Sequence, residues 1–177
     1  MIATILSSVF LLSSVHAAEL NAWGMAAKRA GIPVRILHGI ALTESGKKWS
    51  DGVIRPWPWT LNSPSRGAQF FKSKEAAERE LTSILATGQM NVDIGFMQVN
   101  CKYHCQRVRS PVDLLDPNVN LHIAGDILAE VHTSKKDMAS AVGAYHAGLH
   151  PSRNERSRWY QDVVARNVRK LSKTPNA

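Results

Sequence analysis

The sequence predicts one mainly α-helical domain carrying a small irregular or β insert. Three observations lead there. Apolar residues recur at three- and four-residue spacing through most of the chain beyond position 18, the period of helices with one buried face. Residues 47–72 break that period, with Trp49, Trp57, Trp59, Phe70 and Phe71 set among Pro56, Pro58, Pro64 and Gly67. A length of 177 residues suits a single domain with a real core, and no repeat, low-complexity stretch or linker divides it.

Residues 1–14 hold no charged side chain and include Ile2, Ile5, Leu6, Val9, Phe10, Leu11 and Leu12. The apolar run is too short to span a bilayer and leads into the small-residue pattern Val15-His16-Ala17. It reads as a secretory signal peptide over residues 1–17, cut after Ala17 or Ala18, with the domain occupying 18–177. Lys and Arg are missing ahead of the run, so an uncleaved anchor is the alternative. No later segment is apolar enough to cross a membrane. A first helix is expected from Glu19 to Arg29, with Leu20, Trp23, Ala27 and Ala30 inward and Gly31 ending it. Pro33 suits the first turn of the next helix, which Gly46 stops. Prolines 56 and 58 forbid helix in the insert, and Asn62-Ser63-Pro64-Ser65 suggests an irregular hairpin.

Ser73 is a plausible N-cap for a helix burying Ala76, Ala77, Leu81, Ile84 and Leu85 and closed by Gly88. Asp116-Pro117, a cap followed by a first-turn proline, starts another helix that buries Val119, Ile123, Ile127 and Leu128. Met138 to Ala147 form a short small-residue helix ending at Gly148. The last helix, Arg156 to Leu171, is expected to hold Trp159, Val163 and Val168 against the body. His38, His122 and His132 fall on helices as surface or packing residues.

Within the second helix Leu37, Ile40, Ala41 and Glu44 share one face. A carboxylate on a core-facing stripe loses solvation in its charged form, which is the setting of a general acid. Candidates for a second catalytic carboxylate are Asp51, Asp93 and Asp116. Asp116 is better used as a cap and Asp51 sits in a polar loop, which leaves Asp93. Cys101 and Cys105 are the only cysteines. In an exported protein they should pair as a disulfide, which needs a bend or helix end at that point. A metal site using His104 is the alternative, but the spacing matches no zinc module and no fourth ligand is near. No metal and no cofactor are expected.

The formal net charge is +8, from 22 Lys and Arg against 14 Asp and Glu. Export and the dispersal of the basic residues argue against a nucleic-acid partner. They fit an anionic wall polymer or membrane surface, or solubility alone. The chain has no His-Glu-x-x-His, no Gly-x-Ser-x-Gly and no phosphate-cradling glycine loop.

Three segments occur in a telling order: Glu44-Ser45, then Gly95-Phe96-Met97-Gln98-Val99-Asn100, then Ala144-Tyr145-His146-Ala147-Gly148. Together they resemble the soluble lytic transglycosylase family, lysozyme-like enzymes that cut the glycan strand of peptidoglycan. Arg55-Pro56-Trp57-Pro58-Trp59-Thr60-Leu61-Asn62 is similar to the branch associated with conjugation and type IV secretion or pilus systems. The resemblance spans roughly positions 20 to 150.

It implies a lysozyme-like fold, with Glu44 as catalytic acid/base oriented by Ser45. Met97, Gln98 and Asn100 would line the sugar cleft, and Tyr145 would hydrogen-bond the catalytic region. The family usually has Asn where this chain has His146, so the contact at that position is altered. Trp57 and Trp59 would either stack on sugars at the cleft edge or fasten the insert to the helices. The implied product is a 1,6-anhydromuramyl end, formed by a periplasmic monomer acting on peptidoglycan, with secretion, conjugation or pilus components as further partners. A non-catalytic peptidoglycan-binding adaptor and a hydrolytic muramidase are the competing readings.

Overall fold

The computed structural model describes residues 22–135 and 137–171; the expected signal peptide lies outside them. Helix α1, residues 22–30, buries Ala26, Ala27 and Ala30. Helix α2, Val34–Ser45, buries Leu37, Gly39, Ile40, Ala41 and Ser45. Pro33 is its N-cap residue, one position ahead of the expected first turn.

The insert holds two antiparallel pairs. Strands β1 (Gly46–Lys48) and β2 (Ile54–Pro56) form a hairpin, while β3 (Thr60–Ser63) pairs with β4 (Gly67–Phe70). Two strands were not anticipated: β5 (Asp93–Ile94) and β6 (Val99–Asn100) extend the second pair into a sheet ordered β4-β3-β5-β6. Two-residue strands are too short for alternation to register in sequence. Leu61, Ile94 and Val99 occupy one row on the core face of this sheet, none more than 1% exposed.

Helix α3 (Lys74–Ala86) starts at Ser73, whose hydroxyl accepts from Ala76 N. Helix α4 (Cys101–His104) is one turn that passes into a 3-10 turn at Cys105, the helix end that a short disulfide loop requires. Helix α5 (Pro117–Lys135) opens on Asp116, whose carboxylate accepts from Asn118 N and Val119 N. Helix α6 spans Met138–Ala147, and α7 spans Asn154–Leu171.

Helix α7 sits in a register different from the expected one. Tyr160 and Val164 are buried, whereas Trp159 is 57% exposed. The amphipathic period admits either the 159/163 or the 160/164 stripe, one residue or 100° apart. Packing against α2 and α6 selects the second. A Cβ at Gly39 would lie 2.6 Å from Val168 Cγ2, and one at Gly143 would lie 2.1 Å from Ser157 Oγ. Both seams therefore need glycine, and together they draw α7 close to the end of α2. The result is a mainly helical, lysozyme-like domain with two small antiparallel sheets.

Candidate active site

The turn between β5 and β6 is the centre of the site. Gly95 and Gln98 both adopt positive φ, 76° and 48°, and a Cβ at Gly95 would lie 2.4 Å from the Asn120 amide. Asn120, fully buried on α5, holds this turn with its whole side chain. Its Oδ1 accepts from Met97 N at 2.9 Å, and its Nδ2 donates to Ile94 O at 2.8 Å and Leu114 O at 3.0 Å. Ser45 Oγ donates to Phe96 O at 2.7 Å, and Tyr145 donates to Met97 O at 2.8 Å. The three sequence segments thus meet at one loop: the first and third each hydrogen-bond the backbone of the second.

Ser45 and Met97 both face inward. The Ser45 hydroxyl is buried and donates to Phe96 O, with the Glu44 carboxyl not among its hydrogen-bond partners. Met97 is fully buried, and its side chain belongs to the core instead of the cleft surface. Gln98 folds its amide onto Gly95 O at 2.7 Å. Asn100 caps α4 through Lys102 N and donates from Nδ2 to Asp93 Oδ1 at 2.8 Å.

Asn62, Asp93 and Asn100 face one another across β3, β5 and β6, and Asn62 Nδ2 donates to Asp93 Oδ2 at 3.1 Å. Each Asp93 oxygen therefore accepts an amide. Burial raises the Asp93 pKa above its ordinary value, the two amides oppose that rise, and the negative field of Glu44 adds to it. Asp93 and Glu44 accordingly share one electrostatic neighbourhood.

Glu44 ends α2 with its side chain 13% exposed. Tyr160 donates to its Oε1 at 2.5 Å, and His146 Nδ1 lies 3.7 Å from the same oxygen. The His146 ring stacks on Tyr160, with centroids 4.6 Å apart and planes 3° from parallel. Arg156 Nε donates to His146 Nε2 at 3.2 Å, and Nδ1 is the ring nitrogen that faces Glu44. Burial, followed by the charge of Glu44, pushes both Tyr145 and Tyr160 well above the ordinary phenol range. Both hydroxyls stay protonated donors.

Trp57 is tied into the insert. Its Nε1 donates to Phe71 O at 2.7 Å, Lys47 Nζ lies 4.2 Å from its ring centroid, and Trp59 meets it edge-on. Trp59 packs on the core. Cys101 and Cys105 form a disulfide, so neither thiolate is free to ligate the metal weighed against it.

The chain matches the model of the transglycosylase SLT domain over residues 21–162. It belongs to the transglycosylase SLT domain family. Among curated proteins it is similar to invasion protein IagB of Salmonella typhimurium and of Salmonella typhi, each 26% identical over 168 residues, covering 92% of this chain and 84% of the relative. It is also similar to protein IpgF of Shigella flexneri, 26% identical over 160 residues, covering 87% and 84%. No solved structure matches. Membership of the SLT family brings lytic transglycosylase activity and peptidoglycan as substrate. Among the described residues, no helix is long and apolar enough to cross a membrane.

Two residues of this SLT domain escaped sequence reasoning. Tyr160 was hidden by the register of α7. Asn120 carried a signal: it shares the apolar stripe of Ile123, Ala124 and Ile127, where a polar residue needs a buried partner.

Proposed function

We propose that Glu44 is the single acid/base of a lytic transglycosylase that cuts between N-acetylmuramic acid and N-acetylglucosamine. The observation that carries this reading is the sheltered Glu44 carboxyl, held by Tyr160 and faced by His146 at the meeting point of the three SLT segments. Glu44 protonates the glycosidic oxygen as that bond breaks, and the muramyl unit's own N-acetyl group stabilises the positive charge left at its anomeric carbon. Glu44 then takes the proton of the muramyl 6-hydroxyl while that oxygen bonds to the anomeric carbon. The carboxyl is regained and a 1,6-anhydro end is left. Tethering of the hydroxyl favours this attack over water.

The occupied oxygens of Asp93 support a mechanism without a second catalytic carboxylate. Gln98, Asn100 and Tyr145 belong, in this reading, to the cleft that receives the acetamido and hydroxyl groups. Ser45 and Met97 support that cleft from behind, Trp57 and Trp59 brace its insert edge, and His146 takes the place of the usual Asn. The setting would be periplasmic, after removal of residues 1–17. Local wall opening for a secretion, conjugation or pilus system is the role suggested by residues 55–62, and relatives that include invasion proteins are in keeping with it.

The test is digestion of purified sacculi in oxygen-18 water, with mass spectrometry of the released muropeptides. Unlabelled anhydro ends, lighter by one water than hydrolysed ones, are expected from the native protein. Glu44→Gln should stay folded and lose about 10²–10⁴ in rate. Labelled reducing ends would indicate a hydrolytic muramidase, with Asp93 the next residue to mutate. Binding without cleavage would indicate an adaptor.

A further inference from the structure

Trp159 and Arg156 lie three residues apart on α7, on one helical face, and the chemistry above uses neither. A lone exposed aromatic needs no explanation; the position of this one does. The Trp159 ring is 57% exposed and sits 6.2 Å from the His146 ring at a 53° tilt. His146 lies flat on Tyr160, and Tyr160 reaches Glu44. The three rings form a stepped row running from solvent to the candidate acid. Arg156 spends its Nε–H on His146, is exposed, and pairs with no carboxylate among the described residues. Its remaining N–H donors make no hydrogen bond among the described residues, one helical turn from Trp159.

We propose that Trp159 and Arg156 form a substrate subsite on the α7 side of the cleft, stacking one sugar ring on the indole and binding a carboxylate of the adjoining muramyl unit with the guanidinium. The inference rests on the peptidoglycan reading of Glu44. Its occupant follows from continuity with that site and from charge: a flat apolar ring suits the axial C–H face of a pyranose, and a guanidinium suits a carboxylate. The muramyl unit offers that group on its stem peptide, or as its lactyl carboxylate where the stem has been removed.

The measurement is co-sedimentation with purified sacculi at about 0.15 M salt, where long-range attraction is screened, in a Glu44→Gln background that binds without cutting. Trp159→Ala should weaken binding about fivefold to tenfold, while Trp159→Phe should keep most of it. Arg156→Gln should weaken binding about fivefold. On sacculi whose carboxylates have been converted to amides, the Arg156 effect should vanish and the Trp159 effect persist. Amidase-stripped strands expose the lactyl carboxylate in place of the stem peptide, so an Arg156 effect on them shows that the lactyl carboxylate suffices, and its loss assigns the stem peptide. A folded Trp159→Ala variant that binds like its parent overturns the subsite. So does an Arg156 effect of equal size on amidated sacculi, which would mean that Arg156 acts only through His146. If the parent does not bind and the native protein releases no muropeptides, the peptidoglycan reading itself falls.

Discussion

The Tyr160 hydroxyl meets Glu44 Oε1 at 2.5 Å while its ring lies against His146. One side chain thereby fixes the carboxyl and the imidazole that faces it. Tyr160→Phe keeps the ring, the stacking and the burial, and removes only the hydrogen bond. A hydrogen bond to a charged group contributes about 1.5–3 kcal/mol, and about 1.4 kcal/mol is tenfold in rate. The variant should fold normally and lose at least about tenfold in kcat with little change in KM, read from turnover on sacculi alongside thermal unfolding. An unchanged kcat would remove Tyr160 from the catalytic arrangement. Asn120 illustrates the opposite case: it touches no part of the cleft surface, yet its three hydrogen bonds hold the turn on which Ser45 and Tyr145 converge.

At the scale of elements, the site depends on short pieces held by longer ones. Helices α2 and α6 carry Glu44 and His146, and α7 reaches both because Gly39 and Gly143 leave room for it. The one-turn α4 has too few residues to be stable alone; the Asn100 cap and the Cys101–Cys105 disulfide hold it. The closed loop is small, so the chain-entropy relation gives about 2 kcal/mol, against about 3 for a fifteen-residue loop. Reduction, or Cys101→Ser with Cys105→Ser, should lower unfolding free energy by about that amount and leave the fold intact in denaturant titrations. Complete unfolding on reduction would show that the bridge holds far more of the core than α4.

At the scale of the whole molecule, Asp93 makes a distinctive contribution to pH dependence. Its folded-state pKa is raised above 3.8, chiefly by burial. The stability it contributes is therefore fully present below pH 3.8 and is lost as pH rises through the folded value. Surface carboxylates such as the half-buried Glu80 and the exposed Glu130, held low by Arg66 and Arg107, act in the opposite direction, weakly because solvent screens them. Asp93→Asn never ionises, so its stability relative to the native protein should improve as pH rises from below 3.8 toward neutrality. The exchange of an acceptor for a donor facing Asn62 and Asn100 adds a constant penalty. Denaturant titrations across that range provide the check, and a difference between the two proteins that does not vary with pH would refute the assignment.

Periodicity and punctuation alone determined the helical class, the placement of α2, α3, α5 and α6, the caps at Ser73 and Asp116, and the position of Glu44 at a helix end. These are local properties: a 3.6-residue period, a capping side chain or a helix-stopping glycine acts over a few residues. The pairing of Cys101 with Cys105 was legible for the same reason, since they lie four residues apart. What only the tertiary structure decided is long-range. The β5–β6 hairpin is too short to show a period of its own and exists because β3 and Asn120 hold it. The buried face of α7 is a choice between two stripes of similar hydrophobicity, made by the glycine seams at Gly39 and Gly143. That choice puts Tyr160, 116 residues away in sequence, onto Glu44 and turns Trp159 out to solvent. No local pattern encodes it, because the energy that selects the register is the packing of three helices at once.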